Sequence, residues 1–234
     1  MKNIKITLIF TILLLCSATM IFSQKNVVKL GLGGLALGNV NLSYERVLSE
    51  NQSVALNIGF MPSRNIPEFI LEASDVPDFE NSISGFSITP EYRFYTSKKN
   101  APKGFYVAPY AKLSNYKFEF NETYDGITGV ASGKYATIGV GAQLGVQWLI
   151  SDRVSIDWYF LGLGVNRNSL SMKFESNSQE VNYASIADDI KTDLEDIPIL
   201  GSRIEVTSGD DFVEAKAPFI FPALRSGISI GVAF

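Results

Sequence analysis

Strict alternation between two side-chain classes, repeated along the whole chain, limits what this sequence can fold into. Consecutive side chains of a strand point to opposite faces. At the end of the sequence, Ile228, Ile230, Val232 and Phe234 fall on one face, and Gly227, Ser229, Gly231 and Ala233 on the other. One face is large and apolar; the other is tiny. Eight segments read this way: Val28–Gly33, Val40–Glu45, Ser53–Phe60, Phe86–Tyr95, Phe105–Ser114, Ile138–Trp148, Val154–Phe160 and Gly227–Phe234. An even number of half-apolar strands can close into an antiparallel barrel that leaves no unpaired edge. The polar face is rich in glycine, alanine and serine, which suits a narrow lumen better than the wet surface of a soluble sheet. The apolar face would then meet lipid. The competing fold is a soluble secreted β-barrel whose apolar face is a core that binds an apolar ligand.

The N-terminus points to export. Lys2 and Lys5 precede an apolar run from Ile6 to Phe22, and Ser23 offers a small residue before a cut. Residues 1–23 are therefore expected to be a signal peptide, and residues 24–234 one barrel domain. Cys16, the single cysteine, would leave with the signal. Without Lys2 and Lys5 the net charge falls from −4 to −6, which argues against nucleic-acid binding. No apolar run after residue 24 is long enough for a spanning helix.

The connections alternate as well. Leu48–Gln52, Thr96–Gly104 and Ile150–Arg153 are short; Met61–Ser84, Glu119–Lys134 and Ser171–Pro218 are long, and the connection near Ala36–Asn39 is tight. Short turns facing the periplasm and longer external loops are the usual asymmetry of membrane barrels. Both termini would then be periplasmic. Tyr44, Tyr92, Phe94, Phe105, Trp148 and Phe234 fall near that end and are expected to form an aromatic girdle.

Three stretches carry a resemblance: Asn41–Arg46 (Asn-Leu-Ser-Tyr-Glu-Arg), Pro90–Arg93 (Pro-Glu-Tyr-Arg), and the run from Leu224 to Phe234. Through them the chain resembles the small eight-stranded outer-membrane barrels of the OmpA and OmpX kind, and more closely a Gram-negative barrel group of unknown function. That resemblance implies insertion by the barrel-assembly machinery, which reads a terminal aromatic residue.

Lys29, Glu45, Glu91, Arg93, Lys112, Asp157 and Arg225 share the polar face. Isolated charges in a narrow lumen are costly, so they are expected to pair into a network that fills the barrel. Tyr95, Tyr106, Tyr110 and Tyr159 on the same face would fill it further. The alternative is a charge-lined channel for small ions or solutes. Catalysis finds little support, because the chain has no histidine to act as general base. The acidic pairs Asp188-Asp189, Glu195-Asp196 and Asp210-Asp211 read as solvated loop charges. No cofactor and no metal site is expected.

The external stretches are acidic. Ser63–Asn81 carries a net charge of −4 and residues 171–217 a net charge of −7. Lys98, Lys99, Lys103 and Arg153 make the opposite turns basic. Within residues 171–217, a long acidic loop, Tyr183, Ile186, Ile190, Leu194 and Ile197 recur at helical spacing before Pro198. This amphipathic helix is expected to cap the barrel mouth, with Pro67–Leu71 supplying apolar contacts. The functional expectation is a monomeric, non-enzymatic barrel with a structural or surface-interaction role. Its partners would be outer-membrane lipid and lipopolysaccharide.

Overall fold

β-branched and aromatic residues on alternate positions favour strands, and the short connections make successive strands antiparallel neighbours. The computed structural model describes residues 25–65, 81–96, 101–124, 127–176, 182–195 and 204–234. Its strands are β1 (Asn26–Gly31), β2 (Val40–Ser49), β3 (Gln52–Arg64), β4 (Asn81–Tyr95), β5 (Gly104–Tyr124), β6 (Ile127–Ile150), β7 (Val154–Ser176), β8 (Glu205–Ser208) and β9 (Phe212–Ala233). An α-helix, α1, spans Tyr183–Glu195, and a 3-10 turn spans Leu35–Leu37. No helix among the described residues is long and apolar enough to cross a membrane, which says nothing of a barrel.

Eight of these strands close a ring. β1 to β7 pair in sequence order, β7 pairs with β9, and β9 returns to β1 through Val28↔Val232 and Leu30↔Ile230. Asn26 and Phe234 exchange backbone hydrogen bonds of 3.0 and 2.9 Å, so the seam is paired to its end. The tight β6–β7 turn places Ser151 and Asp152 at φ 49° and 58°, the left-handed pair that follows the strand twist of a hairpin.

The two faces divide as the alternation requires. Ile138, Val140, Leu163 and Leu224 are among the many large apolar side chains exposed on the outside, Leu224 at 76%. Lys29, Glu45, Arg93, Tyr106, Gln143, Gln147 and Asp157 are buried inside at 0–1% exposure. The barrel is thus inverted relative to a soluble protein, with a polar interior and an apolar exterior. The small inward residues make room for the large ones. A Cβ on Gly145 would overlap the Tyr106 ring, one on Gly227 the Tyr159 ring, and one on Gly141 would lie 2.6 Å from Tyr110 Oη.

Three features depart from the sequence expectations. First, Glu119–Lys134 is largely a hairpin rather than a loop: β5 and β6 pair out to Tyr124↔Ile127. Residues 171–217 are likewise not one loop, since β7 and β9 stay paired to Glu175↔Phe212. β5, β6, β7 and β9 are 21, 24, 23 and 22 residues long, about twice what a tilted strand needs to span a bilayer. Along the outer arms the apolar–polar alternation of the sequence fades while the backbone ladder continues, with Val213 and Ala217 buried and Lys216 exposed on β9. Second, β8 is a ninth strand outside the ring. It pairs with β9 at Glu205↔Lys216 to Ser208↔Val213, covering an edge that β1 does not reach. Third, β7 bulges at Phe160–Leu161, where Tyr159 pairs with Gly227 but Gly162 with Arg225. The extra residue reverses the parity of the strand. Odd positions such as Asp157 are buried before it and even positions such as Gly162 and Asn168 after it.

Candidate functional site

Lys29 on β1 is held from three strands at once. Its Nζ donates to Glu45 Oε2 at 2.7 Å, Gln147 Oε1 at 2.8 Å and Asp157 Oδ2 at 2.6 Å. Arg93 on β4 completes the cluster. Its Nη1 donates to Asp157 at 2.7 Å, Gln147 at 3.1 Å and Glu45 at 3.2 Å. Its Nε and Nη2 donate to Glu91 Oε2 at 3.0 and 2.7 Å. The guanidinium lies 4.5 Å above the centre of the Tyr106 ring.

Neutral donors saturate the remaining lone pairs. Ser53 and Tyr95 hydroxyls each donate to Glu45 Oε1 at 2.6 Å. Tyr106 donates to Asp157 Oδ1 at 2.8 Å, Gln143 to Glu91 Oε2 at 3.0 Å, and Asn57 to Glu91 Oε1 at 2.8 Å. Ions taken out of water cost several kcal/mol each unless geometry and hydrogen bonds compensate. Here each carboxylate meets at least one cation and one neutral donor. This floor ties β1 to β7 together across the lumen.

Above the floor the lumen opens into a chamber of about 280 Å³, lined by Arg93 and Asp157 below and by Lys112, Arg225, Tyr110 and Asn166 along its wall. Arg225 lies between two rings, 4.7 Å from the centres of both Tyr110 and Tyr159. Its Nη2 reaches Glu91 Oε1 at 3.3 Å, while Nη1 is buried without a partner among the described residues. Lys112 makes no ion pair or hydrogen bond among the described residues.

The seven expected lumen charges therefore separate into two groups. Lys29, Glu45, Glu91, Arg93 and Asp157 form one network, Arg225 joins it through Glu91, and Lys112 stands apart. Gln143 and Gln147 escaped the sequence reading. Their signal is their position on the inward face of β6 between Gly141, Gly145 and the strand end, where a large amide needs a partner.

The six aromatic residues expected at a girdle lie on the outer face or the strand end near the short turns, with Tyr44 and Trp148 each 46% exposed. Tyr92 and Phe94 pack at 4.9 Å between ring centres. Trp158 and Phe160, 5.5 Å apart, extend the same set, and Phe160 meets Phe105 at 6.0 Å.

Helix α1 is pinned at its start. Asn182 Oδ1 accepts from the Ser185 backbone N–H at 3.1 Å as an N-cap, and the Tyr183 hydroxyl exchanges two 3.0 Å hydrogen bonds with the Ser176 backbone. Tyr183 is buried and Ile186 half-buried, and the helix packs beside β8 and β9. The side chains of Ile190 and Leu194, and all of Ile197, lie outside the described residues, as do residues 1–24, Pro67–Leu71, Lys98 and Lys99. Nearby, Lys216 and Ser171 donate to the half-buried Glu214 and hold its carboxyl below the usual range.

A family model described as "Protein of unknown function (DUF3575)" matches residues 8–187. No curated protein and no solved structure matches the chain.

Proposed function

The chain belongs to that family of unknown function, and we propose that it is a non-enzymatic outer-membrane β-barrel with a structural or surface-interaction role. The observation that carries this reading is the ion-paired floor inside a ring whose outer face is apolar. A soluble barrel would expose its charges and bury its leucines. An open channel would leave its charged residues hydrated rather than locked on one another. An eight-stranded ring is also just wide enough for side chains to fill.

The apolar band on β6 runs from Ile138 to Ile150 on alternate outward positions, and on β7 it stops before the exposed Arg167. That length fits the roughly 25 Å band of outer-membrane barrels. The outward Trp148, Trp158, Tyr44 and Phe94 sit where an interfacial girdle belongs. This orientation puts both termini in the periplasm, after removal of the signal peptide. The paired arms of β5–β6 and β7–β9 then project outward with their acidic residues. They form a surface suited to a basic partner or to divalent cations that bridge lipopolysaccharide phosphates. The reading is supported by a chain without histidine and by floor carboxylates that are all engaged in hydrogen bonds among the described residues.

Fractionation of the native membranes, with gel electrophoresis of unheated and boiled samples, tests the reading. Recovery in the outer membrane with a heat-dependent mobility shift, and no conductance in planar bilayers, is the expected result. A soluble periplasmic protein without a shift would overturn the membrane assignment. A steady ohmic conductance would overturn the sealed floor and favour a channel.

A further inference from the structure

The charges inside the barrel do not balance. Among the described residues, Lys29, Arg93, Lys112 and Arg225 face Glu45, Glu91 and Asp157, a surplus of one positive charge. The surplus has a definite place. Lys29 and Arg93 are surrounded by acceptors, whereas Lys112 lines the chamber with no acceptor among the described residues. The charged group acting on it is the like-charged guanidinium of Arg225. A cation in a narrow lumen with only another cation beside it is an electrostatic vacancy for an anion.

Arg225 is already set for the same ligand. Its guanidinium lies 4.7 Å from the ring centres of both Tyr110 and Tyr159, one arm is tied to Glu91, and the buried Nη1 is uncommitted among the described residues. Glu91 gives no competing site for a cation, because its two oxygens already accept from Arg93, Gln143, Asn57 and Arg225. The buried Ser43 hydroxyl lines the same chamber without a partner. The β1–β2 connection is short, and a Cβ at Gly33, on the chamber's rim, would meet nothing within 4 Å. At about 280 Å³ the space is slightly below the range of drug-sized pockets.

We propose that this outer chamber is a binding site for a small oxyanion, a carboxylate or a phosphate, with Lys112 and Arg225 as its charged ligands. Charge-assisted hydrogen bonds from a guanidinium and an ammonium are the usual means of holding such groups. The assignment rests on the geometry of the ring and its lumen, and stands whether or not the outer arms have a protein partner.

The test is isothermal titration of the detergent-extracted, folded barrel with inorganic phosphate and, separately, with succinate. Saturable one-to-one binding of at least one of them is expected. Lys112→Met should weaken it about tenfold or more, and Lys112→Arg should keep it within about threefold, since the first removes a charge-assisted hydrogen bond and the second keeps one. Phosphate alone would identify a phosphoryl ligand, succinate alone a carboxylate, and both a general oxyanion site. The heat-dependent gel shift of each variant establishes that the barrel is intact. Binding of neither probe to the folded wild type, or equal binding to folded Lys112→Met, would overturn the proposal.

Discussion

The floor and the outer chamber of the lumen are built from the same side-chain types on the same inward face, yet they differ in how their charges are matched, while both hold unpartnered neutral atoms such as Gln147 Nε2 and Ser43 Oγ among the described residues. In the floor, Lys29 has three acceptors at 2.6–2.8 Å and Arg93 uses three nitrogens. In the chamber, Lys112 has none among the described residues, and Arg225 leaves one nitrogen uncommitted. Composition does not separate these regions; the strand register does. Glu45 lies on β2, directly beside β1, and Asp157 on β7, which is separated from β1 by β9 alone, so Lys29 on β1 reaches both. Lys112 on β5 sits opposite Gly139 on β6, which is covered by the neutral amide of Asn166 and brings no carboxylate. A lumen of this size is sealed where its charges are matched and hollow where they are not.

The largest expected effect breaks the complete half. Asp157→Ala removes the acceptor that Lys29, Arg93 and Tyr106 share. Removing one partner of a buried ionic network leaves uncompensated charge and costs about 3–5 kcal/mol. The loss is read as a lower urea midpoint of the heat-shifted band in detergent. A change under about 1 kcal/mol would mean that water already replaces the carboxylate, and that the floor is no seal.

Space gives the second contrast. Tyr106 lies across Gly145, held there by its bond to Asp157. Gly145→Ala forces that ring off its partner, and overpacking of this kind costs about 1–3 kcal/mol. Gly33→Ala at the chamber rim meets open space and is expected to stay within about 0.5 kcal/mol. The two urea curves, measured side by side, compare a filled region with a hollow one by the same single-carbon change. Equal losses would show that both glycines serve the backbone rather than the packing of the lumen.

The sequence made the inward and outward faces readable wherever one face is apolar and the other small. Lys29, Glu45, Arg93 and Asp157 could therefore be assigned to one lumen from parity alone. Two things could not be read. Parity does not order residues around the ring, so it could not tell that Lys29 finds two carboxylates and Lys112 none. The bulge at Phe160–Leu161 is also silent in composition, because Phe160 and Leu161 are both apolar and either could face outward. Beyond the band, Glu119–Lys134 has no strict apolar–polar alternation, so the backbone pairing of the β5–β6 arm could not be read from parity. A helix repeat, by contrast, survives in water when one stripe packs, as the Tyr183 and Ile186 positions of α1 do.

The smallest effect is the most discriminating, because it compares one residue type in two places. Lys112→Met removes a cation that has no acceptor among the described residues and a like charge beside it. With the chamber free of anions, the folded barrel is expected to change by less than about 1 kcal/mol, on the stabilising side, because an apolar replacement avoids the desolvation of an unpaired ion. In saturating phosphate or succinate the order should reverse. A ligand that binds only the folded state stabilises it by about 2.7 kcal/mol at a hundred times its dissociation constant, and the variant lacks that term. Wild type should then rise above Lys112→Met in urea midpoint, by an amount that grows with the logarithm of anion concentration. The crossing of the two curves separates an unpaired lysine that awaits a ligand from one that is merely solvated. If Lys112→Met instead falls as far as Asp157→Ala without any anion, Lys112 belongs to the floor's network, and the division between the two halves of the lumen fails.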